Sequence, residues 1–441
     1  MQISSWGGMS NEAMSLWSPA FSSEIRQGLP ARCSATRSKC LVVGNLRSYG
    51  DEVLCPDGRY VQTTRCDRIL SIDSSESRVS AECGIRFDVL QERLTRSGYM
   101  IPVTPGTAYL TLGGAIANDV HGKNHHGAGT FGCYVEELEL VRTSGEVLTC
   151  SPRENPELFA ASIGGMGLTG AMTSATFRVR RLDSPLLRVK STRFTQLSDF
   201  FDLDLEGKQH EYSVAWIDCL AKGRALGRGV YSVADHLSPD AKPAATSAAK
   251  AARKAHVPFR LPVSPVNRFT LSLMNSLYYR AHRTGLHTVP MRQWLYPLDS
   301  VLDWNRLYGR RGFYQFQSVV PRSEAQEAIS DMLKATSAAQ QGSFLAVLKN
   351  FGGKQSPGLM SFPMPGTTLA LDFPNRGKIT QDLLMALHRI TSNAGGRLYP
   401  AKDGWSPANS LETGYPNFAR FARSIDPGIE SLQARRLGLT S

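Results

Sequence analysis

Between residues 105 and 132 the chain reads PGTAYLTLGGAIANDVHGKNHHGAGTFG. Glycines at 106, 113, 114, 122, 127, 129 and 132 exclude a long regular helix here, because each costs about 1 kcal/mol against alanine in a helix interior. Two readings compete. His121 and His125 stand at i, i+4 spacing, which would ligate a metal from one helix face. The flanking Gly122 and Gly127 disfavour that helix, and no glutamate follows at metalloprotease spacing, so no metal is expected. The other reading is a phosphate cradle. Pro105 and Gly106 turn the chain, and Thr107 and Thr111 supply hydroxyls. Gly113 and Gly114 then open an alanine-rich run to Ala117. Backbone N–H groups at such a start donate to anionic oxygens, and glycine lets the anion come close.

Two further glycine elements flank this one. GNLRSYGD places Arg47 and Ser48 between Gly44 and Gly50, together with Asn45 and Tyr49. GGMGLTG contains a literal G-x-G-x-x-G at Gly165, Gly167 and Gly170. A dinucleotide fingerprint follows a strand and opens a helix. Here the helix-like PELFAASIGG comes first and the strand-like GAMTSATFRVRRL second, so a Rossmann unit is not expected. Such glycines let backbone pass close to a cofactor or another strand. Three glycine elements in a strand-rich frame suit a long cofactor carrying a pyrophosphate.

The frame reads as α+β. DRILSI and RVSAECGI are strands joined by the polar DSSES, and RFDVLQERLTRSGY is a helix with Phe87, Leu90 and Leu94 on one face. VEELELVRTSGEVLTCS reads as two strands about a Ser-Gly turn, and FYQFQSVVP, SFLAVLKNF and TLALDFP as later strands. Residues 236–262, rich in Ala, Pro and Lys, read as a mobile basic loop or an alanine-rich helix. The following NRFTLSLMNSLYYRAHR is a helix with two readings, one packed into a core and the other a basic amphipathic lip on a membrane.

Composition narrows the function. No apolar run reaches the roughly 18 residues of a membrane span, and the N-terminus lacks a secretory pattern. A cytoplasmic location is expected. Eight cysteines without a C-x-x-C suggest reduced thiols. The formal net charge of +12 points to an anionic partner. With no DNA- or RNA-binding motif visible, that partner is expected to be a lipid phosphate or an anionic membrane surface rather than nucleic acid.

RSYGD, PVTPGTAYLTLGGAIANDVHGKNHHGAGTFG, ELFAASIGGMGLTG and GGRLYPAKD together resemble the vanillyl-alcohol-oxidase (PCMH-type) FAD flavoproteins, most of all their decaprenylphosphoryl-β-D-ribose 2′-oxidase group. The resemblance implies a two-domain α+β fold. Residues 1–182 would bind FAD in two α+β subdomains, 183–395 would form a substrate domain with an antiparallel sheet, and 396–441 would complete the FAD domain. It implies FAD contacts from Gly44, Asn45, Arg47, Ser48, Tyr49 and Gly50, and from Pro105, Gly106, Thr107, Thr111, Gly113, Gly114 and Ala117. His121, Gly122, Gly167, Gly170 and Tyr399 join them.

Lys402, Tyr399, Tyr49 and His121 would be catalytic. A fixed cation such as Lys402 stabilises charge developing on a reduced flavin more than on the oxidised one. Lys123, Trp216, Gln315, Gln317, Lys349 and Ala370 would face the substrate. The implied reaction is oxidation of the C2′ hydroxyl of a polyprenyl-phosphate-linked ribose, and a separate NAD(P)H-dependent keto-reductase would complete an epimerisation to the arabinose donor for cell-envelope glycan. Tyr49 replaces the histidine that fixes FAD covalently in many relatives, so non-covalent FAD is expected. Leu46 replaces a usual glycine, and Ala370 replaces the cysteine of the mycobacterial enzymes. A soluble aldonolactone or alditol oxidase and a non-catalytic flavin-binding paralogue are the alternatives.

Overall fold

The computed structural model describes residues 1–34, 39–238, 254–282, 284–343 and 345–440. Strands Ile69–Asp73 and Arg78–Glu82 pair antiparallel across the DSSES turn. They end a five-stranded antiparallel sheet whose other strands, in order towards the far edge, are Ala171–Arg178, Val135–Val141 and Val147–Cys150. Helix Phe87–Arg96 buries Phe87, Leu90 and Leu94 as its period requires. It stops before Gly98, whose φ of +76° suits a residue without a Cβ. A small parallel sheet of Ser15–Trp17, Arg59–Gln62 and Leu41–Val43 feeds the first glycine loop from its last strand.

An eight-stranded sheet forms the second half. Its order is Gly285–Pro290, Leu186–Phe194, Gly229–His236, Tyr212–Ile217, Val347–Phe351, Gly366–Pro374, Phe313–Pro321 and Arg397–Leu398, with antiparallel pairing throughout. Side chains alternate across a strand, and here the alternation separates two jobs. Phe316, Leu348, Leu369 and Leu371 point into a core with helices Leu197–Gly207, Ala325–Ala338 and Lys378–Asn393. Gln315, Gln317, Val347, Lys349, Thr368 and Ala370 line a cavity on the other face. Burying each large apolar side chain is worth about 1.5–3 kcal/mol, so the core face anchors the wall of the cavity.

Two ties join segments far apart in the sequence. Asp299 accepts from the Thr107 hydroxyl at 2.7 Å and the Ala108 amide at 2.8 Å. Near the C-terminus, Arg436 pairs with Asp51 at 2.8 Å and Asp403 at 3.0 Å.

Of the basic loop expected over 236–262, residues 239–253, which include Lys250 and Arg253, lie outside the described residues. Ala255–His256 pairs in parallel with Val301–Leu302. The core-packed reading of the next helix, Arg268–Ala281, does not hold. Leu271 and Asn275 turn inward, while Phe269 (83% exposed), Leu273, Met274 and Leu277 face outward. Among the described side chains the seven free cysteines form no disulfide.

Candidate active site

The three glycine elements converge on one cavity of about 650 Å³. Gly44, Asn45, Arg47, Ser48 and Tyr49 enter from the first loop. Pro105, Gly106, Thr107, Thr111, Gly113, Gly114, Ala117 and His121 come from the second, and Gly167 and Gly170 from the third. The third lies between helix Pro156–Ser162 and strand Ala171–Arg178, in the helix-first order read from the sequence. Close approach explains Gly44: a Cβ there would stand 2.2 Å from Thr111 Oγ1, so any side chain would push the first two loops apart. A Cβ on Gly106 or Gly167 would meet nothing within 4 Å.

Four expected site residues are not in the lining. Gly50 packs against the carbonyl of Asp403, which a Cβ would approach to 1.8 Å. Gly122 contributes its carbonyl oxygen, which accepts from Lys349 Nζ at 3.3 Å. Lys123 donates to the Trp294 carbonyl and stands 4.2 Å over the Trp294 ring. Trp216 shares the cavity face of its strand but lies against Tyr278 of the exposed helix, ring centroids 4.5 Å apart.

At one end of the cavity the titratable groups crowd together. Lys402 Nζ sits 3.8 Å over the ring of Tyr49, which packs edge-on to Phe313. Burial lowers the Lys402 ammonium to about 8, opposed by the charges of Asp372 and Glu52. Burial raises both carboxyls to about 7, and Gln315 donates to Asp372 at 2.5 Å. Tyr399 stacks on Phe362 and donates its hydroxyl to the Asn118 carbonyl at 2.7 Å. His121 stands between Lys349 Nζ, 3.1 Å from Nδ1, and the Gln317 amide, 3.1 Å from Nε2.

Sequence reading missed Glu52, Asn118, Trp6, Tyr109 and Asp372. Glu52 follows RSYGD directly, and Asp372 has the parity of Thr368 and Ala370 on their strand, so both were within reach of a closer reading.

The fit to a large polar cofactor rests on unsatisfied atoms. Arg47 Nε, Glu52 Oε2 and Asn118 Oδ1 are buried at this wall without a hydrogen-bond partner among the described residues. Arg47 also stacks at 4.3 Å on Trp6. Leaving such atoms unpaired costs roughly 1–3 kcal/mol each, so a ligand supplying partners is favoured.

The comparisons agree. The FAD binding domain family matches residues 28–151. The decaprenylphosphoryl-β-D-ribose oxidase of Mycolicibacterium smegmatis is 35% identical over 407 residues, 89% of this chain and 88% of the relative. An uncharacterized protein of Streptomyces coelicolor is 33% identical over 374 residues, 79% of this chain and 99% of the relative. The L-gulonolactone oxidase of Mus musculus is 28% identical over 200 residues, 44% of this chain and 43% of the relative. Cavity, glycine loops and matches together define an FAD-dependent flavoprotein oxidoreductase. Within that class the chain belongs to the vanillyl-alcohol-oxidase (PCMH-type) family, close to decaprenylphosphoryl-β-D-ribose oxidase.

Proposed function

We propose that the protein oxidises the C2′ hydroxyl of a polyprenyl-phosphoryl-β-D-ribose to the 2′-keto sugar. This would be the first half of an epimerisation to the arabinose donor of cell-envelope glycan, completed by a separate NAD(P)H-dependent keto-reductase. The observation that carries the reading is the convergence of Lys402, Tyr49, Gln315, Gln317 and Lys349 on the same cavity that the three glycine loops line. FAD supplies the two-electron oxidation. Gly44 to Ser48, Thr111 to Ala117, Gly167 and Gly170 would hold it without a covalent bond, and Arg47, Glu52 and Asn118 would gain partners. Lys402 fixes positive charge where negative charge develops. His121 and Tyr399 shape the pocket, and Gln315 and Gln317 offer amides to sugar hydroxyls.

The domain division at residues 182 and 395 belongs to the same reading. The eight-stranded sheet opens at Leu186, and the tail returns to the first loop through Arg436 and Asp51. The outward apolar face of helix Arg268–Ala281 supports docking on an anionic membrane surface at the inner face of the plasma membrane, with Arg268 and Arg280 near its ends. No helix among the described residues is long and apolar enough to cross a membrane.

Anaerobic mixing with a synthetic prenyl-phosphoribose is expected to bleach the visible flavin band. Lys402→Ala is expected to slow the bleaching at least 100-fold, a typical loss for one preorganised charge. The partial match to L-gulonolactone oxidase favours a second reading, a soluble sugar-lactone oxidase. Bleaching by a free lactone or ribitol, and not by the lipid, would establish it instead.

A further inference from the structure

Loss of two electrons from a carbinol carbon also releases the hydroxyl proton, and few groups at this cavity can take it. Lys402, lowered by burial to about 8, is held towards its cation by the charges of Asp372 and Glu52, and those two carboxylates, raised by burial to about 7, serve in turn as its counter-ions. Burial pushes the Tyr49 and Tyr399 phenols well above their ordinary range, so both stay protonated, and Tyr399 donates to the Asn118 carbonyl. His121 has a neighbour at each ring nitrogen.

With the Gln317 amide nitrogen turned to the ring, the hydrogen bonds of His121 do not close while Lys349 is an ammonium. Burial and the charge of Lys349 hold the imidazole well below its usual range, so it is neutral and carries one N–H. An ammonium at Nδ1 and an amide N–H at Nε2 would both donate, leaving no place for that proton. Two arrangements resolve the conflict. With the proton on Nδ1, His121 donates to Lys349, which is then a free amine, and accepts from Gln317. With the proton on Nε2, Gln317 turns its carbonyl oxygen to the ring and Lys349 is an ammonium donating to Nδ1. They differ by one proton on Lys349 and by a tautomer and an amide flip, with no backbone movement.

We propose that Lys349, oriented by His121, is the base that receives the substrate hydroxyl proton. The assignment rests on the sugar-oxidation reading above. Lys349 lines the cavity, and its Nζ also donates to the Gly122 carbonyl. Among the described residues it has no ion pair. The groups around it are Lys123, His121 and His125 from the second loop, Phe351 on its own strand, Thr368 paired across the sheet and Lys402 from the C-terminal segment. Burial and Lys402 lower it to about 7, where amine and ammonium coexist. In the step, the O–H proton would pass to Nζ, while bound FAD would supply the two-electron oxidation by taking up the C–H hydrogen with its electron pair. A carbonyl remains, so substrate is oxidised and cofactor reduced.

The test is a lysine titration in the FAD-loaded enzyme labelled with ¹³C at Cε, read by NMR. The resonance that vanishes in Lys349→Met should titrate near pH 7, and it is told apart by that loss from Lys123, which burial and the charge of Lys349 also lower to about 7. In the reductive half-reaction the rate should rise with pH through the same range. Lys349→Met and Lys349→Arg should lose that limb and fall 10²- to 10⁴-fold, with FAD content and melting temperature kept. Added primary amines should restore part of the rate in Lys349→Ala, and His121→Asn should displace the limb with a smaller loss. A Lys349 resonance that stays charged to pH 9, or a variant that keeps wild-type rate and limb, overturns the assignment alone. A wild-type enzyme that prenyl-phosphoribose does not reduce overturns the substrate reading and the assignment together.

Discussion

The motif resemblance puts Tyr49 in the place of a flavin-linking histidine, and the Tyr49 ring lies under Lys402. Burial raises the Tyr49 phenol well above its ordinary range, which disfavours the phenolate that a covalent link would need, so acid precipitation should leave yellow flavin in the supernatant; flavin in the pellet would contradict it. Ala370 lines the cavity opposite Gln317 and offers no thiol. Cys83 also reaches the lining, but burial holds its thiol protonated and unreactive. Nitro-aromatic inhibitors that trap an active-site cysteine should therefore give no adduct by intact mass, and Ala370→Cys should give one. The sequence motif exposed Lys402, Tyr49 and Gln317 because they sit in quotable runs. Leu46 was legible only as an odd residue in the loop. Its φ of +51°, a conformation that costs a side-chain-bearing residue about 1–2 kcal/mol, needed coordinates.

Two elements carry predictions of their own. The short C-terminal helix Leu432–Arg436 presents Arg436 to two carboxylates, one from the first loop and one beside Lys402. Arg436→Met leaves both buried without their counter-charge, with Asp403 still held by the Ser406 hydroxyl and the Trp405 and Ser406 amides, and should cost about 3 kcal/mol in denaturant unfolding. Arg436 and the Ser406 hydroxyl, against the opposing effect of burial, hold Asp403 below its ordinary value. The pair's stability is therefore complete above the unfolded carboxylate value near 4 and is lost as pH falls below it, a loss that Arg436→Met should reduce. Helix Arg268–Ala281 works in the opposite sense, because its outward leucines support nothing inside. Leu273→Glu with Leu277→Glu should leave the melting temperature unchanged and lower co-sedimentation with anionic phospholipid vesicles at least tenfold. Unaltered co-sedimentation would remove the membrane from the proposed function. The sequence could show that this helix was apolar, but not which side met the protein, because that depends on neighbours far along the chain.

Across the whole molecule, local pattern and long-range pairing divide what could be read. The strand pair about DSSES, the helix after it and the helix-first order at GGMGLTG follow from period and turn chemistry within twenty residues. The wall of the cavity does not. Gln317 meets Ala370, and Lys349 meets Thr368, only through the register of strands separated by long stretches of chain. Lys123 and Trp216 are a further case: motif position placed them at the substrate, and the structure adds Trp294 and Tyr278 as the rings against their side chains.

The alternation within that wall has an evolutionary consequence. Because odd and even positions of Phe313–Pro321 and Gly366–Pro374 serve chemistry and core separately, selectivity can drift by point substitution while the scaffold is conserved. A single-residue insertion in either strand would exchange the two sets at once. Such a lineage can change its substrate readily and its strand lengths hardly at all.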